Sequence, residues 1–366
     1  MATLYVLIGL IIAFSLWKPS TFPEYATLVG ILQDGAIGGL IALGLVVPLA
    51  AGVFDLSVGY MLGFGAIFAA WLVGNTSWPE WLVIAVSIAA CAVVGLINGL
   101  LVVKARISSF IATLAMGSIL QAGIQYLTGG QILTKGVDRI GGFASVNIHQ
   151  ITLAPMVLIV LAVLLWVLMQ HTVVGRHLYA TGLGGDAAVL AGVRTRQLQF
   201  GALIVSAAVA GLAGVLVVSN VGAASPDTGP SYMIPAFAAA FLGATQFKPG
   251  FFNPGGTVLA ILMLQTLTSG LALAGVSTWV PSLCTGVILI AALAVGQLRG
   301  NQLSRLIRLR RVKSDSAQPQ TGAEPALREP IGAEALSMTA PATTEVQDVR
   351  VGAHSPSNAE PEERTR

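Results

Sequence analysis

Apolar residues fill this chain from residue 3 to about 297 in long blocks separated by short polar loops. A bilayer core takes roughly 20 apolar residues per helix, because lipid offers the backbone no hydrogen-bond partners. The blocks therefore predict about ten transmembrane helices, near 2–17, 35–52, 57–74, 80–103, 108–127, 151–169, 199–218, 232–247, 255–273 and 279–297. The expected fold is all-α, a polytopic membrane helical bundle. The stretch Gly52-Val53-Phe54-Asp55-Leu56-Ser57 reads as a helix break as readily as a loop. The first block has no basic residue ahead of it and no small-x-small cleavage site before Lys18, so it reads as a retained helix rather than a secretory signal. At 1.5 Å per residue it reaches about 24 Å, slightly short of a full span, which points to a start further upstream.

Composition agrees: 55% of residues are hydrophobic, 10% are charged, and the mean hydropathy is +0.81. A soluble domain carries about a quarter charged residues. The charges are also unevenly placed. Residues 1–298, the membrane domain, hold 7 of the 16 acidic and 9 of the 19 basic residues, and the others crowd into 299–366. The net charge of +3 thus averages two unlike segments and implies no nucleic-acid partner. The basic segment 299–313 suits anchoring to anionic lipid headgroups. From 314 to 366 the chain is Pro-, Ala-, Glu-, Ser- and Thr-rich with almost no aromatic residue, so a disordered cytoplasmic tail is expected.

Orientation follows from the basic loop residues. With ten spans and both termini cytoplasmic, twelve fall inside: Lys104, Arg106, Arg176, Arg194, Arg196, Lys248, Arg299, Arg305, Arg308, Arg310, Arg311 and Lys313. Three fall outside, Lys18, Lys135 and Arg139, which satisfies the positive-inside rule. Trp17, Trp78, Trp81 and Trp279 lie near predicted outer ends, where interfacial aromatics belong. Gly35/Gly39, Gly59/Gly63 and Gly95/Gly99 have the i, i+4 spacing that lets helices approach closely. Cys91 and Cys284 lie inside apolar runs and read as packing residues.

Enzyme chemistry finds little support. His149, His171, His177 and His354 lack metal-ligand spacing, and no lysine follows a glycine, which excludes a Walker-type nucleotide loop. Gly182-Leu183-Gly184-Gly185-Asp186-Ala187 matches the dinucleotide fingerprint but follows no strand. What remains are polar groups inside the apolar runs. Asp55 is foremost, with two readings: a cap on the helix that starts near Leu56, or a group on a transport path. Ser57, Asn98, Thr113, Gln121, Gln125, Asn220, Gln265 and Thr266 act either as interhelical glue or together as the lining of a polar passage. No chain of carboxylates or histidines is present to relay protons, which weakens an ion-coupled carrier.

The segment 170–198 is the most specific feature. Around Asp186-Ala187-Ala188-Val189-Leu190-Ala191-Gly192 a short helix stopped by glycine is expected, flanked by Arg176, Arg194 and Arg196. It suits insertion into a groove on another protein; a solvated connector is the alternative. Acid-Ala-Ala-x-x-x-Gly is similar to the cytoplasmic coupling motif of ABC importer permeases, with Asp186 in place of the usual Glu. Four further runs resemble the ribose/xylose-type monosaccharide permeases, relatives of the branched-chain amino acid permeases: Thr172 to Gly182, Asp55-Leu56-Ser57-Val58-Gly59, Gly95-Leu96-Ile97-Asn98-Gly99, and Ser109 to Leu114 closing at Thr128-Gly129-Gly130. The chain departs from that pattern at Gly52-Val53-Phe54, where a glycine pair is usual, at Gly185-Asp186, where Asn-Glu is usual, and in its long tail.

This resemblance implies a permease subunit without its own nucleotide site, importing a pentose or hexose into the cytoplasm across a bacterial cell membrane. It implies three partners: a cytoplasmic ABC ATPase, a second permease subunit (a homodimer), and an extracytoplasmic sugar-binding protein. It places ATPase coupling on Gly175, Arg176, Gly182, Asp186, Ala187, Ala188 and Gly192, and the substrate path on Asp55, Ser57, Asn98, Thr113 and Gln121. It implies no cofactor and no metal. The alternatives are an ABC permease for a nucleoside or branched-chain amino acid, and a stand-alone carrier that works without an ATPase.

Overall fold

A computed structural model describes residues 2–144, 152–247 and 250–294. In chain order the helices are α1 (Ala2–Trp17), α2 (Tyr25–Ala50), α3 (Val58–Asn75), α4 (Glu80–Gly99), α5 (Ser109–Thr128), α6 (Asp138–Ala144), α7 (Leu153–His171), α8 (Val173–Leu190), α9 (Thr195–Val221), α10 (Thr228–Ala244), α11 (Pro254–Leu273) and α12 (Trp279–Ala294). No β-strand is found among the described residues; the pair Leu133–Ala224 is an isolated bridge. Among the described residues, seven helices are long and apolar enough to cross a membrane: α2, α3, α4 with the π-turn 100–104 that prolongs it, α5, α7, α9 and α11. The three other expected spans are occupied by shorter helices, α1, α10 and α12, so these criteria leave the count of ten unestablished. The basic segment 299–313 and the tail 314–366 lie outside the described residues, as do Lys248, His149 and His354.

Two boundaries depart from expectation. α2 begins at Tyr25, ten residues before the expected 35, because Gln33 and Asp34 interrupt the hydrophobic run without interrupting the helix. The segment 170–198 is mostly helical: α8 starts with Thr172, whose hydroxyl accepts from the Gly175 N–H, and is kinked at Gly184.

Burial separates centre from rim. Of the apolar windows of α2, α3 and α9, 78, 67 and 72% of residues are buried, against 28, 33 and 28% in α4, α5 and α7. α9 packs along α3, α4 and α2, while α10 and α11 pair and lean on α2. Small residues make this possible. A Cβ at Gly95 would come 2.6 Å from the Ala207 Cβ, and one at Gly211 would come 2.7 Å from the Cys91 Cβ. Of the expected glycine pairs, Gly39, Gly59, Gly95 and Gly99 sit at such close approaches, whereas Gly35 has ordinary contacts near 3.5 Å. Cys91 is buried, Cys284 half-buried, and both are free thiols.

Contacts between helix ends give the bundle two distinct ends. One end carries the start of α1, where the Thr3 N–H meets Gln246, together with the α2–α3 connector, α8 and the start of α11. Lys104, Arg106, Arg176, Arg194 and Arg196 are at this end. At the opposite end the Arg139 guanidinium donates to the carbonyls of Val73 (3.1 Å), Thr76 (2.9 Å) and Trp78 (2.7 Å), satisfying acceptors that the end of α3 leaves open. Trp17, Trp78, Trp81 and Trp279 are all exposed at or beside helix ends.

Candidate functional site

The α2–α3 connector begins where helix geometry fails. Pro48 sits in the last turn of α2, and Gly52 adopts φ +76°, which an L-residue takes only under strain. The Val53 N–H bonds the Pro48 carbonyl at 3.0 Å and the Gly52 N–H bonds Leu49 at 3.1 Å, a Schellman closure of the helix. Residues 51–57 then lead to α3, which begins at Val58, with Ala51, Val53, Asp55 and Ser57 buried and Gly52 and Phe54 exposed.

Asp55 is fully buried at the centre of this connector. Its Oδ1 accepts from the Ser57 N–H (3.1 Å) and the Ser57 hydroxyl (2.6 Å), and its Oδ2 accepts from the Ser206 hydroxyl of α9 (2.8 Å). The Asn98 amide of α4 donates to Ser57 Oγ at 2.9 Å. Thr113 of α5 accepts from the Leu56 N–H at 3.0 Å, and Ser109 from the Phe54 N–H at 3.1 Å. Burying a carboxylate is tolerated only when donors replace water. One Asp55 oxygen works at the start of α3 as a cap does, while the other reaches a different helix. Asp55, Ser57, Asn98 and Thr113 come together and are all enclosed, so none faces an open passage in this conformation. Gln121 stands apart on α5 and is half-buried. The Asn98 Oδ1 and Gln121 Oε1 atoms are buried without a hydrogen-bond partner.

α8 lies across the same end. Its Gly182 fits directly on the α2–α3 connector: a Cβ there would run into the Ala50 carbonyl oxygen and come 3.0 Å from the Gly52 nitrogen. Its Tyr179 hydroxyl donates to the Phe252 carbonyl at 2.5 Å, and the ring meets Phe251 edge-on at 5.3 Å. Burial pushes the Tyr179 hydroxyl up to about 12, so it stays a donor across the physiological range. α8 therefore touches the α2–α3 and α10–α11 connectors at once. Beyond the Gly184 kink, residues 185–190 form one further turn in which Ala188 is buried while Asp186, Ala187, Val189 and Leu190 are exposed, Leu190 by 90%. Gly192, at φ +81°, ends the helix: its N–H bonds Val189 and the Val193 N–H bonds Ala188, both at 2.9 Å. Gly175 is buried near the start of α8, where a Cβ would meet the Leu168 carbonyl at 2.5 Å, and Arg176 is exposed. Ser206 and Gln199, whose amide donates to the Ala51 carbonyl at 3.3 Å, are site residues that sequence reading missed. No cluster of metal-ligating side chains occurs among the described residues.

A family model described as the permease component of branched-chain amino acid transport systems matches residues 27–293. The chain is 32% identical over 290 residues to the ribose import permease protein of Bacillus subtilis (strain 168), covering 77% of this chain and 88% of that protein. It is 29% identical to the ribose import permease protein of Escherichia coli (strain K12), covering 80% of this chain and 92% of the relative. It is also 29% identical to an L-arabinose ABC transporter permease protein of Azospirillum brasilense, covering 77% and 84%. No solved structure matches the chain.

Proposed function

The chain belongs to the family of ABC importer permeases, on its sugar-importing branch, and we propose that it moves a pentose or hexose into the cytoplasm at the expense of ATP hydrolysed by a separate subunit. The observation that carries this reading is α8: a helix with an exposed small-residue tip, seated by Gly182 on one connector and by Tyr179 on another. A protein that pushes on Asp186, Ala187, Val189 and Leu190 moves both connectors, and through them α2, α3, α10 and α11. Gly175 and Gly182 let α8 lie close, Gly192 ends its tip, and Arg176 offers an exposed cation for the ATPase.

In this reading the ten helices α1–α5, α7 and α9–α12 span the bilayer with the α8 end cytoplasmic, and both termini are inside. The basic residues gathered at that end support the orientation. Two such subunits form the passage between them, an extracytoplasmic binding protein delivers the sugar, and the segment 299–313 lies at the lipid surface. A neutral polyol needs hydrogen bonds but no counter-charge. In this reading Asp55, Ser57, Asn98, Thr113 and Gln121 belong to the substrate path; all but half-buried Gln121 are enclosed, and the buried Asn98 Oδ1 and Gln121 Oε1 atoms keep hydrogen-bonding capacity unused.

The test is uptake of radiolabelled ribose and arabinose into proteoliposomes holding the chain with its ATPase and binding protein. Uptake that requires ATP and both partners supports the reading. Equal uptake by the chain alone, abolished by collapsing the ion gradient, makes it a secondary carrier.

A further inference from the structure

The connector between α2 and α3 lies outside regular helix from Val53 to Ser57, apart from the Ser57 carbonyl that accepts the Met61 N–H at 2.7 Å, yet five residues from Ala51 to Ser57 are tied to other helices. Ala51 and Asp55 are bonded to α9 through Gln199 and Ser206, Phe54 and Leu56 to α5 through Ser109 and Thr113, and Ser57 to α4 through Asn98. Its leading end touches α8, since a Cβ on Gly52 would sit 3.1 Å from the Gly182 Cα. The connector is thus a single short piece of chain joining α8 to α4, α5 and α9.

Among these ties the Asp55–Ser206 bond differs in the group it holds. Like Ser57–Asn98 it is made side chain to side chain and is fully buried, and it links residues 151 apart in sequence. The partners of the neighbouring ties, Thr113 and Asn98, bond backbone or hydroxyl groups, whereas Ser206 holds a carboxylate oxygen. Breaking that bond leaves a carboxylate oxygen without a donor in an apolar interior, which costs more than a small shift of packed helices. A displacement of the connector therefore carries α9 with it.

We propose that Ser206 and Asp55 are positioning residues for transport: their bond makes α9 follow the connector when α8 is displaced. This rests on the reading that α8 receives the ATPase. Neither side chain touches the sugar. Without the bond the connector turns about Gly52 and α3 moves alone, so ATP is hydrolysed without opening the passage.

The experiment uses the complete complex in proteoliposomes, with ATP hydrolysis and uptake of the sugar taken by the unmodified protein measured in the same vesicles. Ser206→Ala is compared with Ser206→Thr, which keeps the hydroxyl, and with Ser87→Ala. Ser87 is equally buried, but its hydroxyl bonds only Val83 of its own helix, so that variant removes a buried hydroxyl without cutting an interhelical tie. Ser206→Ala should retain the ATPase on affinity purification and keep hydrolysing ATP, while the ATP consumed per sugar rises about tenfold. Ser206→Thr should return the ratio toward normal, and Ser87→Ala should leave it unchanged. Unaltered coupling in Ser206→Ala overturns the proposal, and so does an equal loss in Ser87→Ala. The docking reading is tested separately by Leu190→Glu, which should release the ATPase during purification. If that variant keeps the ATPase, the reading beneath the proposal fails and the proposal falls with it.

Discussion

Replacing Gly182 by alanine puts one methyl group where α8 meets the α2–α3 connector. The new Cβ would overlap the Ala50 carbonyl oxygen and lie 3.0 Å from the Gly52 nitrogen and 3.1 Å from the Ala50 carbonyl carbon. All three are backbone atoms, so no side chain can swing aside. Relief requires α8 and the connector to part by a distance on the order of 1 Å, given carbon contacts near 3.5–4.0 Å. Overpacking of this kind costs about 1–3 kcal/mol, and the better helix propensity of alanine returns up to about 1 kcal/mol. A net loss of roughly 1–2 kcal/mol leaves the protein folded, but it opens the contact through which α8 pushes. Proteoliposomes bearing the variant, its ATPase and the binding protein should therefore hydrolyse ATP while sugar uptake falls by about tenfold or more. Gly185→Ala is the control on the same helix, because nothing lies within 4 Å of its Cβ position, and it should leave both rates unchanged. Native uptake per ATP in Gly182→Ala would refute the claim that this contact transmits force.

Two further expectations concern the frame that holds the site. Arg139→Met removes three hydrogen bonds to carbonyls at the end of α3; because Arg139 is exposed, the loss should be only about 1–2 kcal/mol, seen as a lower melting temperature in detergent with ATP coupling intact. Asn253→Ala removes the side-chain cap that accepts from the Gly256 N–H at 2.7 Å, and also its bonds to the Gly243 and Phe251 carbonyls. That site is buried, so a larger loss of about 2–3 kcal/mol is expected in the same measurement.

Long apolar runs marked the helices because each must present about 20 apolar residues to lipid, a requirement local in sequence. It failed where that requirement was relaxed. Asp34 broke the window over α2 although the helix runs through it, and Gly175, Gly182, Gly184 and Gly185 disguised α8 as a loop when three of the four serve close packing or a kink. Asp55 stood out as a carboxylate in an apolar setting, but its partner did not. A serine within a helix has no signal of its own, and only the crossing of α9 over the connector brings Ser206 to the carboxylate. Arg139 entered the sequence reading as a charge on one side of the membrane; in the fold it serves as a donor to three carbonyls. Gly192 was legible in full, because a helix stop by left-handed glycine is written in adjacent residues.

Coupled transport by this chain requires a separate ATPase to press on the tip of α8. A photo-crosslinking amino acid at position 190, whose side chain is 90% exposed, tests this in native membranes. Illumination should join the chain to an ATPase subunit, with a yield that changes when ATP is added. Labelling confined to lipid or to the extracytoplasmic binding protein would contradict both the docking role of α8 and the orientation of the bundle.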